Sequence, residues 1–151
     1  MASTLIKIDI HLIFHVKSTG IAIRKEDVPR LCQYIGGIIR SMDAIPLEIG
    51  GMSDHVHILT SLPKSTALTD FVRDIKANSS KWIKQVDVAY NQFAWQDGYG
   101  AFSVSPTLLD KTINYIRNQE IHHKSRTFKD EYKLFLEHYG IEYNEKYAFS
   151  D

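Results

Sequence analysis

The feature that most constrains this chain is a His-Val-His sequence at residues 55–57. The segment 55–62 is rich in β-forming residues, follows a glycine- and serine-containing turn and ends at Pro63, so it is predicted to be a strand. Because side chains alternate along a strand, His55 and His57 face one side and Val56 faces the other. Two imidazoles on one face can share a metal ion. Taken alone, however, such a pair is more often found on the wet face of a half-buried strand.

The size and composition of the chain indicate one ordinary globular domain, over residues 1–151. Lysines plus arginines equal aspartates plus glutamates, which argues against a highly basic coat protein but not against a local basic surface. The single cysteine, Cys32, excludes an intramolecular disulfide and a cysteine-rich zinc site. It also fits a reducing compartment. Since we find neither a membrane-length apolar run nor a signal-peptide pattern, we expect a cytoplasmic protein without a membrane partner.

Hydrophobic periodicity predicts an α+β domain in which helices pack on an antiparallel sheet. A short turn between the second and third strands favours a hairpin. The pair Gly36-Gly37 lies inside the first helix, where we expect it to allow close approach of another backbone. Expected strands span 5–17, 45–52, 55–62 and 101–104, and expected helices span 27–42, 65–86, 105–124 and 128–138.

Two further features are compatible with nucleic-acid binding. Arg73, Lys76 and Lys84 fall along one flank of the second helix, which is either a solvated side or a ridge that contacts phosphates. Four aromatic residues lie between residues 92 and 105, with two glycines interspersed: Phe93, Trp95, Tyr99 and Phe102, with Gly98 and Gly100. They either form the edge of the core or stack on bases.

Tyr115 and Gln119 are one helical turn apart and share a face that lies off the apolar stripe of their helix. If this face meets His55 and His57, two imidazoles and the Gln119 carbonyl can hold a divalent metal with open coordination positions. Nitrogen and oxygen ligands without thiolates suit Mg²⁺ or Mn²⁺. A tyrosine hydroxyl can attack a phosphodiester as a covalent nucleophile. Its unperturbed pKa is about 10, and no activating base is evident in the sequence.

These features, taken together, resemble the small single-tyrosine HUH transposases of the IS200/IS605 type. The resemblance covers nearly the whole chain and rests on a series of short segments in one order. The segments are Gly50-Gly51, Asp54-His55-Val56-His57, Lys76-Ala77-Asn78-Ser79-Ser80-Lys81-Trp82, Phe93-Ala94-Trp95-Gln96, Gly98-Tyr99-Gly100-Ala101-Phe102-Ser103-Val104-Ser105, Tyr115-Ile116-Arg117-Asn118-Gln119 and His122-His123-Lys124.

The resemblance implies a ferredoxin- or RRM-like sheet and a transposase that binds hairpins at the ends of a mobile element. Such proteins cut single-stranded DNA, leave a 5′-phosphotyrosine and a free 3′-OH, and rejoin strands. By position, Tyr115 would be the nucleophile, and His55, His57 and Gln119 the metal ligands. The family works as a homodimer whose active sites form in trans.

Three other interpretations remain open at this point. A domesticated relative could cut repeated palindromes without moving an element, and it would keep the same four residues. A catalytically silent nucleic-acid-binding module and a structural zinc domain are also conceivable, but the intact site and the lack of further cysteines count against them. His122 and His123 could assist metal or phosphate contact, but surface roles are expected for them.

Overall fold

A computed structural model describes residues 3–18, 20–124 and 126–151. The chain forms an α+β fold with a four-stranded antiparallel sheet, as the sequence predicts. Within the described residues, no helix has the length and apolar character needed to cross a membrane. The strands are β1 (Asp9–His15), β2 (Pro46–Met52), β3 (His55–Ser61) and β4 (Gly100–Val104), and the helices are α1 (Val28–Ser41), α2 (Leu68–Val86), α3 (Leu109–Arg117), α4 (Gln119–His122), α5 (Phe128–His138) and α6 (Glu145–Ala148).

The sheet order is β2-β3-β1-β4, so β1 and β3 lie in the centre and are buried on both faces. Their register pairs His15 with His55 and Ile13 with His57. Directly paired residues of antiparallel strands face the same side. The alternating set Leu12, Phe14, Val56 and Ile58 belongs to the core under α1 and α2. The register therefore places the histidines of β1 and β3 together on the opposite face.

That opposite face is covered by α3, α5 and the C-terminal segment. Tyr132 and Leu136 of α5 pack with Ile13 and Phe102, and Phe149 packs against this cluster. The observed bounds of α5 agree with the predicted helix 128–138. The C-terminal segment therefore packs on the same chain.

The predicted continuous helix 105–124 is wrong. A short 3₁₀ turn precedes α3, and α3 ends at Arg117. Asn118 has φ −99° and ψ 28°, and α4 begins at Gln119. Asparagine is a poor interior helix former because its side chain competes for backbone hydrogen bonds. The break is adjacent to the buried side chain of Gln119.

The predicted close approach at Gly36-Gly37 is also wrong. Leaving aside the backbone of α1 itself, the nearest atoms to a Cβ at Gly36 belong to side chains, and among the described residues no other heavy atom lies within 4 Å of a Cβ at Gly37. The close approach is instead at Gly50 of β2, where a Cβ would lie 2.9 Å from the carbonyl oxygen of Ile116. Gly50 therefore sets the distance between the sheet and α3, the helix that carries Tyr115.

The first predicted strand, 5–17, is longer than the observed β1. The register with β3 and β4 begins at Asp9, opposite Ser61 and Val104, so the sheet supports pairing only from there. Leu5, which the alternation pattern assigned to the strand, is 92% exposed. Alternation alone does not show where the neighbouring strands end.

Candidate metal and nucleophile site

The two histidines of the His-Val-His sequence are fully buried between β3 and α5. The Nδ1 atom of His55 is 2.7 Å from Asp54 Oδ1, and the Nδ1 atom of His57 is 2.8 Å from His11 Nε2. These contacts hold one nitrogen of each ring and leave both Nε2 atoms facing one pocket. Such outer contacts orient metal-ligating imidazoles in many proteins.

Glu131 of α5 is the central group of this pocket, although it was not among the residues predicted from the sequence. Its side chain is 1% exposed. Its Oε1 atom lies 2.8 Å from His57 Nε2, 3.5 Å from His55 Nε2 and 3.3 Å from His123 Nε2. Burial by itself raises the pKa of Glu131, but the hydrogen bonds from His57 and Tyr115 oppose burial, and this pKa lies well below its ordinary value. Glu131 is therefore a buried carboxylate anion.

Gln119 also reaches the pocket, as the i, i+4 spacing with Tyr115 suggested. Its Oε1 atom lies 3.2 Å from His55 Nε2 and 3.1 Å from His123 Nε2. Its side-chain amide also donates to the Tyr115 carbonyl, at 3.4 Å. The structure therefore brings Gln119 beside the histidine pair, and the break after α3 lets it point inward.

His123 departs from the surface role expected for it. Its side chain is 9% exposed and contacts both Gln119 and Glu131. His122 is half-buried and stacks on the Tyr115 ring, with centroids 4.4 Å apart. The adjacent His-His pair therefore divides its contacts between the nucleophile candidate and the pocket.

The geometry fits a divalent metal ion. One ligand atom each from His55, His57 and Glu131 lie within 4.8 Å of one another. The set combines imidazole nitrogen with carboxylate oxygen, and it contains no thiolate. Burial lowers the pKa of His57 even though Glu131 opposes this effect. His57 is therefore neutral, which is the form that binds metals.

Tyr115 lies at the same pocket, with its ring centroid 5.9 Å from that of His57. Its hydroxyl donates a short hydrogen bond to Glu131 Oε2. Burial, followed by the hydrogen bond and the charge of Glu131, raises the pKa of Tyr115 far above its ordinary value. The phenol is therefore protonated and fixed in direction at neutral pH.

His11 of β1 supports His57 from the far side of the pocket. Burial and the neighbouring His57 hold the pKa of His11 well below its usual value, so its ring is neutral as well. If Nε2 of His57 binds a metal, its Nδ1 carries the proton and donates to His11 Nε2. His11 Nε2 is therefore placed to accept the Nδ1 proton of His57 in the metal-bound form.

The three basic residues predicted for DNA contact lie on α2, across the sheet from the metal pocket. Arg73 pairs with Asp70 at 2.9 Å, while Lys84 is exposed. Lys76 is half-buried, and its ammonium group donates to the backbone carbonyls of residues 96, 97 and 98 at 2.8, 3.2 and 2.5 Å. Lys76 thus holds the loop before β4 in place, and phosphate contact by these residues stays a prediction.

Three of the four aromatic residues between residues 92 and 105 are buried in the core. Phe93 and Trp95 are buried under α2, where the Trp95 indole donates to Ser79 Oγ at 3.0 Å. Phe102 is buried under α5. Tyr99 is half-buried and lies beside the Lys76 ammonium group. A role in base stacking is therefore left only to Tyr99.

A cleft of about 840 Å³ lies between α1, β2 and α4. Gln119 and His123 form its inner wall, and cations line it at Lys25, Arg117 and Lys124. Arg117 is paired with Glu48 at 3.1 Å. The cleft therefore lies beside the metal pocket, although His55, His57 and Glu131 do not line it.

One signal in the sequence could have identified Glu131. Phe128, Tyr132, Phe135 and Leu136 make the apolar stripe of α5, and Glu131 falls among them at i+3 from Phe128 and i−4 from Phe135. A carboxylate on an apolar stripe requires a buried partner. Its partners, however, lie 74 and 16 residues away in the chain, so the pattern does not name them.

The comparisons with known proteins now give the family. The family model described as "Transposase IS200 like" matches residues 4–119. The chain belongs to the IS200-like transposases, which confirms the resemblance found in the sequence. The matched region contains His55, His57, Tyr115 and Gln119 and stops short of Glu131.

Two solved structures share the fold. One, a candidate transposase from Deinococcus radiodurans R1, is 20% identical with a TM-score of 0.60, covering 79% of this chain and 96% of that one. The other, a REP-associated tyrosine transposase bound to a REP hairpin, is 12% identical with a TM-score of 0.58, covering 82% of this chain and 74% of that one. No curated protein matches the chain.

Proposed function

We propose that this transposase cuts and rejoins single-stranded DNA at hairpin ends through a 5′-phosphotyrosine. The observation that carries the proposal is that the Tyr115 hydroxyl and the His55–His57 pair share one pocket, joined by Glu131. In the cleavage step the Tyr115 oxygen bonds to phosphorus and loses its proton. The bond from phosphorus to the 3′-oxygen breaks, and that oxygen leaves as a 3′-OH after taking up a proton.

The residues of the chain divide this work between them. His55, His57 and Gln119, with Glu131, would hold Mg²⁺ or Mn²⁺, which supplies Lewis-acid activation of a phosphate oxygen. Glu131 accepts the Tyr115 hydrogen bond and so aims the hydroxyl oxygen. The phosphotyrosine conserves the bond energy for resealing, because the free 3′-OH can attack it in the reverse direction.

Replacement of Tyr115 by phenylalanine tests the nucleophile. Tyr115→Phe removes one oxygen, so the protein should fold and bind hairpin DNA but form no covalent adduct on a denaturing gel. Tyr147→Phe is the matched control, because Tyr147 is 67% exposed at the C-terminal end of the chain. Chelation should abolish adducts of the unaltered protein, and Mg²⁺ or Mn²⁺ should restore them. Adducts of unchanged yield with Tyr115→Phe would refute the assignment.

Hairpin DNA is the proposed ligand, and the fold shared with a transposase solved on a REP hairpin supports it. The cleft beside Gln119 and the exposed α2 cations are the two candidate phosphate surfaces. Anisotropy titrations should show a preference for a hairpin over a perfect duplex. The logarithm of the binding constant falls as the logarithm of the salt concentration rises, and each lost phosphate contact should make this negative slope shallower by about 0.7–0.9.

The pair Lys25→Ala/Lys124→Ala tests the cleft, and Arg73→Ala/Lys84→Ala tests α2. Lys76 is left unaltered, because its loss would disturb the loop that it holds. If the salt dependence of hairpin binding becomes shallower in only one double variant, the surface altered in that variant contacts the phosphates. Unchanged slopes in both pairs would place the phosphate contacts elsewhere on the protein.

We also propose a homodimer with active sites formed in trans, as the family resemblance implies. In the single chain, Tyr115 already contacts its own Glu131, so exchange of α3 between copies would have to replace this contact. A protein carrying His55→Ala and His57→Ala can be mixed with Tyr115→Phe. Recovery of cleavage supports the trans arrangement. Absence of recovery, with subunit exchange verified by mass, would show that each chain uses its own tyrosine.

A second candidate function is that of a domesticated nuclease that cuts repeated palindromes. The structural neighbour that was solved on a REP hairpin supports this alternative. Hairpins flanking the gene on both sides would support a mobile element, whereas dispersed palindromes would support the domesticated enzyme. The buried metal pocket and aimed tyrosine count against a silent binding module. We infer that residues 1–151 act as one transposase domain, since helices on both faces share one sheet. We propose the cytoplasm as its location, because a reducing compartment fits the single cysteine, Cys32.

A further inference from the structure

The two carboxylate oxygens of Glu131 have different surroundings. Oε1 faces the Nε2 atoms of His55, His57 and His123 at 2.8–3.5 Å. Oε2 accepts the hydrogen bond from the Tyr115 hydroxyl. One side chain therefore connects the metal pocket to the nucleophile candidate.

This connection involves separate parts of the chain that meet only in the folded state. Glu131 comes from α5 and Tyr115 from α3. His55 and His57 come from β3, and His123 follows α4. Phe128 stacks on His55 and Phe135 packs edge-on against Tyr115, so α5 is anchored on both sides of Glu131. With its rotation restricted, the carboxylate cannot move toward one partner without changing its contact with the other.

We propose that Glu131 is a positioning residue that couples metal binding to the placement of Tyr115. Oε1 serves as an anionic ligand position beside the histidine pair, and Oε2 aims the phenol at the phosphate. The inference rests on the proposed function for the identity of the nucleophile. The coupling itself is a property of the free protein and can be measured without DNA.

The coupling has a definite sign. The hydrogen bond from Tyr115 draws electron density from the carboxylate and occupies Oε2. Loss of the hydroxyl should therefore make Glu131 a better ligand and tighten metal binding. Coupling between two sites is reciprocal, so a bound metal should also weaken the hold of Glu131 on Tyr115 and free the phenol for attack.

A structural role for Glu131 predicts a different result. If the carboxylate only satisfies buried imidazoles, its removal should lower stability, but Tyr115 should have no influence on metal affinity. The measurement that separates the two roles is a double-mutant cycle on metal binding. It needs Tyr115→Phe, Glu131→Gln and the double variant.

Calorimetric titration with Mn²⁺ alone supplies the readout. Tyr115→Phe should tighten Mn²⁺ binding by about fivefold, the lower end of typical coupling between sites. Glu131→Gln should weaken binding by about tenfold or more, as loss of a metal-supporting group typically does. Adding Tyr115→Phe to Glu131→Gln should then change the affinity by less than about twofold. Tyr147→Phe is the control that should leave it unchanged.

An unchanged Mn²⁺ affinity in Tyr115→Phe would overturn the inference, and this result does not depend on how well the Glu131 variants fold. If Glu131→Gln fails to fold, Glu131→Asp replaces it, because it keeps the charge but is too short to reach both partners. Glu131→Asp should bind hairpin DNA normally yet form adducts more slowly, so that kcat falls and KM stays. Equal loss in both parameters would also count against positioning.

The proposed function and this inference can fail separately. If the protein shows the metal coupling but forms no covalent adduct with any hairpin, the proposed nuclease activity is refuted and the coupling stands. If Tyr115 forms the adduct but has no effect on metal affinity, the proposed function stands and the role of Glu131 in coupling is refuted.

Discussion

Gly50→Ala should slow catalysis without altering any residue of the metal pocket. Gly50 pairs with His57 across β2 and β3, and a Cβ there would lie 2.9 Å from both the Cγ2 atom and the carbonyl oxygen of Ile116. Ordinary contacts of this kind begin at 3.4 Å. The backbone of α3 must therefore retreat by about 0.5 Å or more at the residue that follows Tyr115.

The size of the effect follows from this displacement. Overpacking of this kind typically costs about 1–3 kcal/mol of unfolding free energy. A misplacement of about 1 Å can cost about 10²-fold in rate, so half of it should cost about tenfold. We expect the rate of covalent adduct formation to fall by about that factor, while hairpin affinity changes by less than about twofold.

The assay combines urea unfolding with a time course of adduct formation on a hairpin substrate. Gly37→Ala is the matched control, because Gly37 is exposed within α1 and has open space at its Cβ position among the described residues. It should stabilise the protein by up to about 1 kcal/mol through helix propensity and leave the rate unchanged. A wild-type adduct rate in Gly50→Ala would refute the claim that this approach positions Tyr115.

Three other predictions concern the supporting contacts. Burial lowers the pKa of His11 and His57 in the folded state, so the unfolded chain takes up protons first as the pH falls below about 6.5. The unfolding free energy of the metal-free protein should therefore drop by up to about 1.4 kcal/mol per pH unit for each histidine. An unfolding free energy that stays constant from pH 7.5 to 5.5 would contradict this. Lys76→Met removes three hydrogen bonds to carbonyls and should lower the unfolding free energy by about 1–3 kcal/mol in urea titrations, whereas Lys84→Met, at an exposed position, should not. Asp54→Asn weakens the orientation of a metal-facing imidazole and should reduce Mn²⁺ affinity by about tenfold in calorimetry; unaltered affinity would show that this contact is dispensable.

Local periodicity in the sequence was enough to predict several parts of the fold and site. Alternation along a strand placed His55 and His57 on one face, and their outer nitrogens do face one pocket. The i, i+4 spacing predicted that Tyr115 and Gln119 lie close together, and both reach that pocket, although the helix is broken at Asn118 between them. The bounds of α5 were also predicted correctly. Periods of 2 and 3.6 residues are set by backbone geometry, so a sequence displays them directly.

The same local patterns failed where a contact joins distant parts of the chain. Lys76 read as a solvent-facing cation, but folding brings the carbonyls that precede β4 to its ammonium group. The glycines inside α1 suggested a close approach, which only the packing of α3 against β2 assigned to Gly50. Neither outcome depends on a repeat that could be read along the chain.

The sequence by itself determined the antiparallel α+β fold, the histidine pair, the tyrosine and the family. Only the tertiary structure decided that Glu131 lies between the histidines and Tyr115, and that His123 turns inward. The physical reason is that the register of β1 on β3 and the docking of α5 on the sheet set these distances. Both arise from contacts between residues far apart in sequence, where no short-range pattern specifies which carboxylate will meet which imidazole.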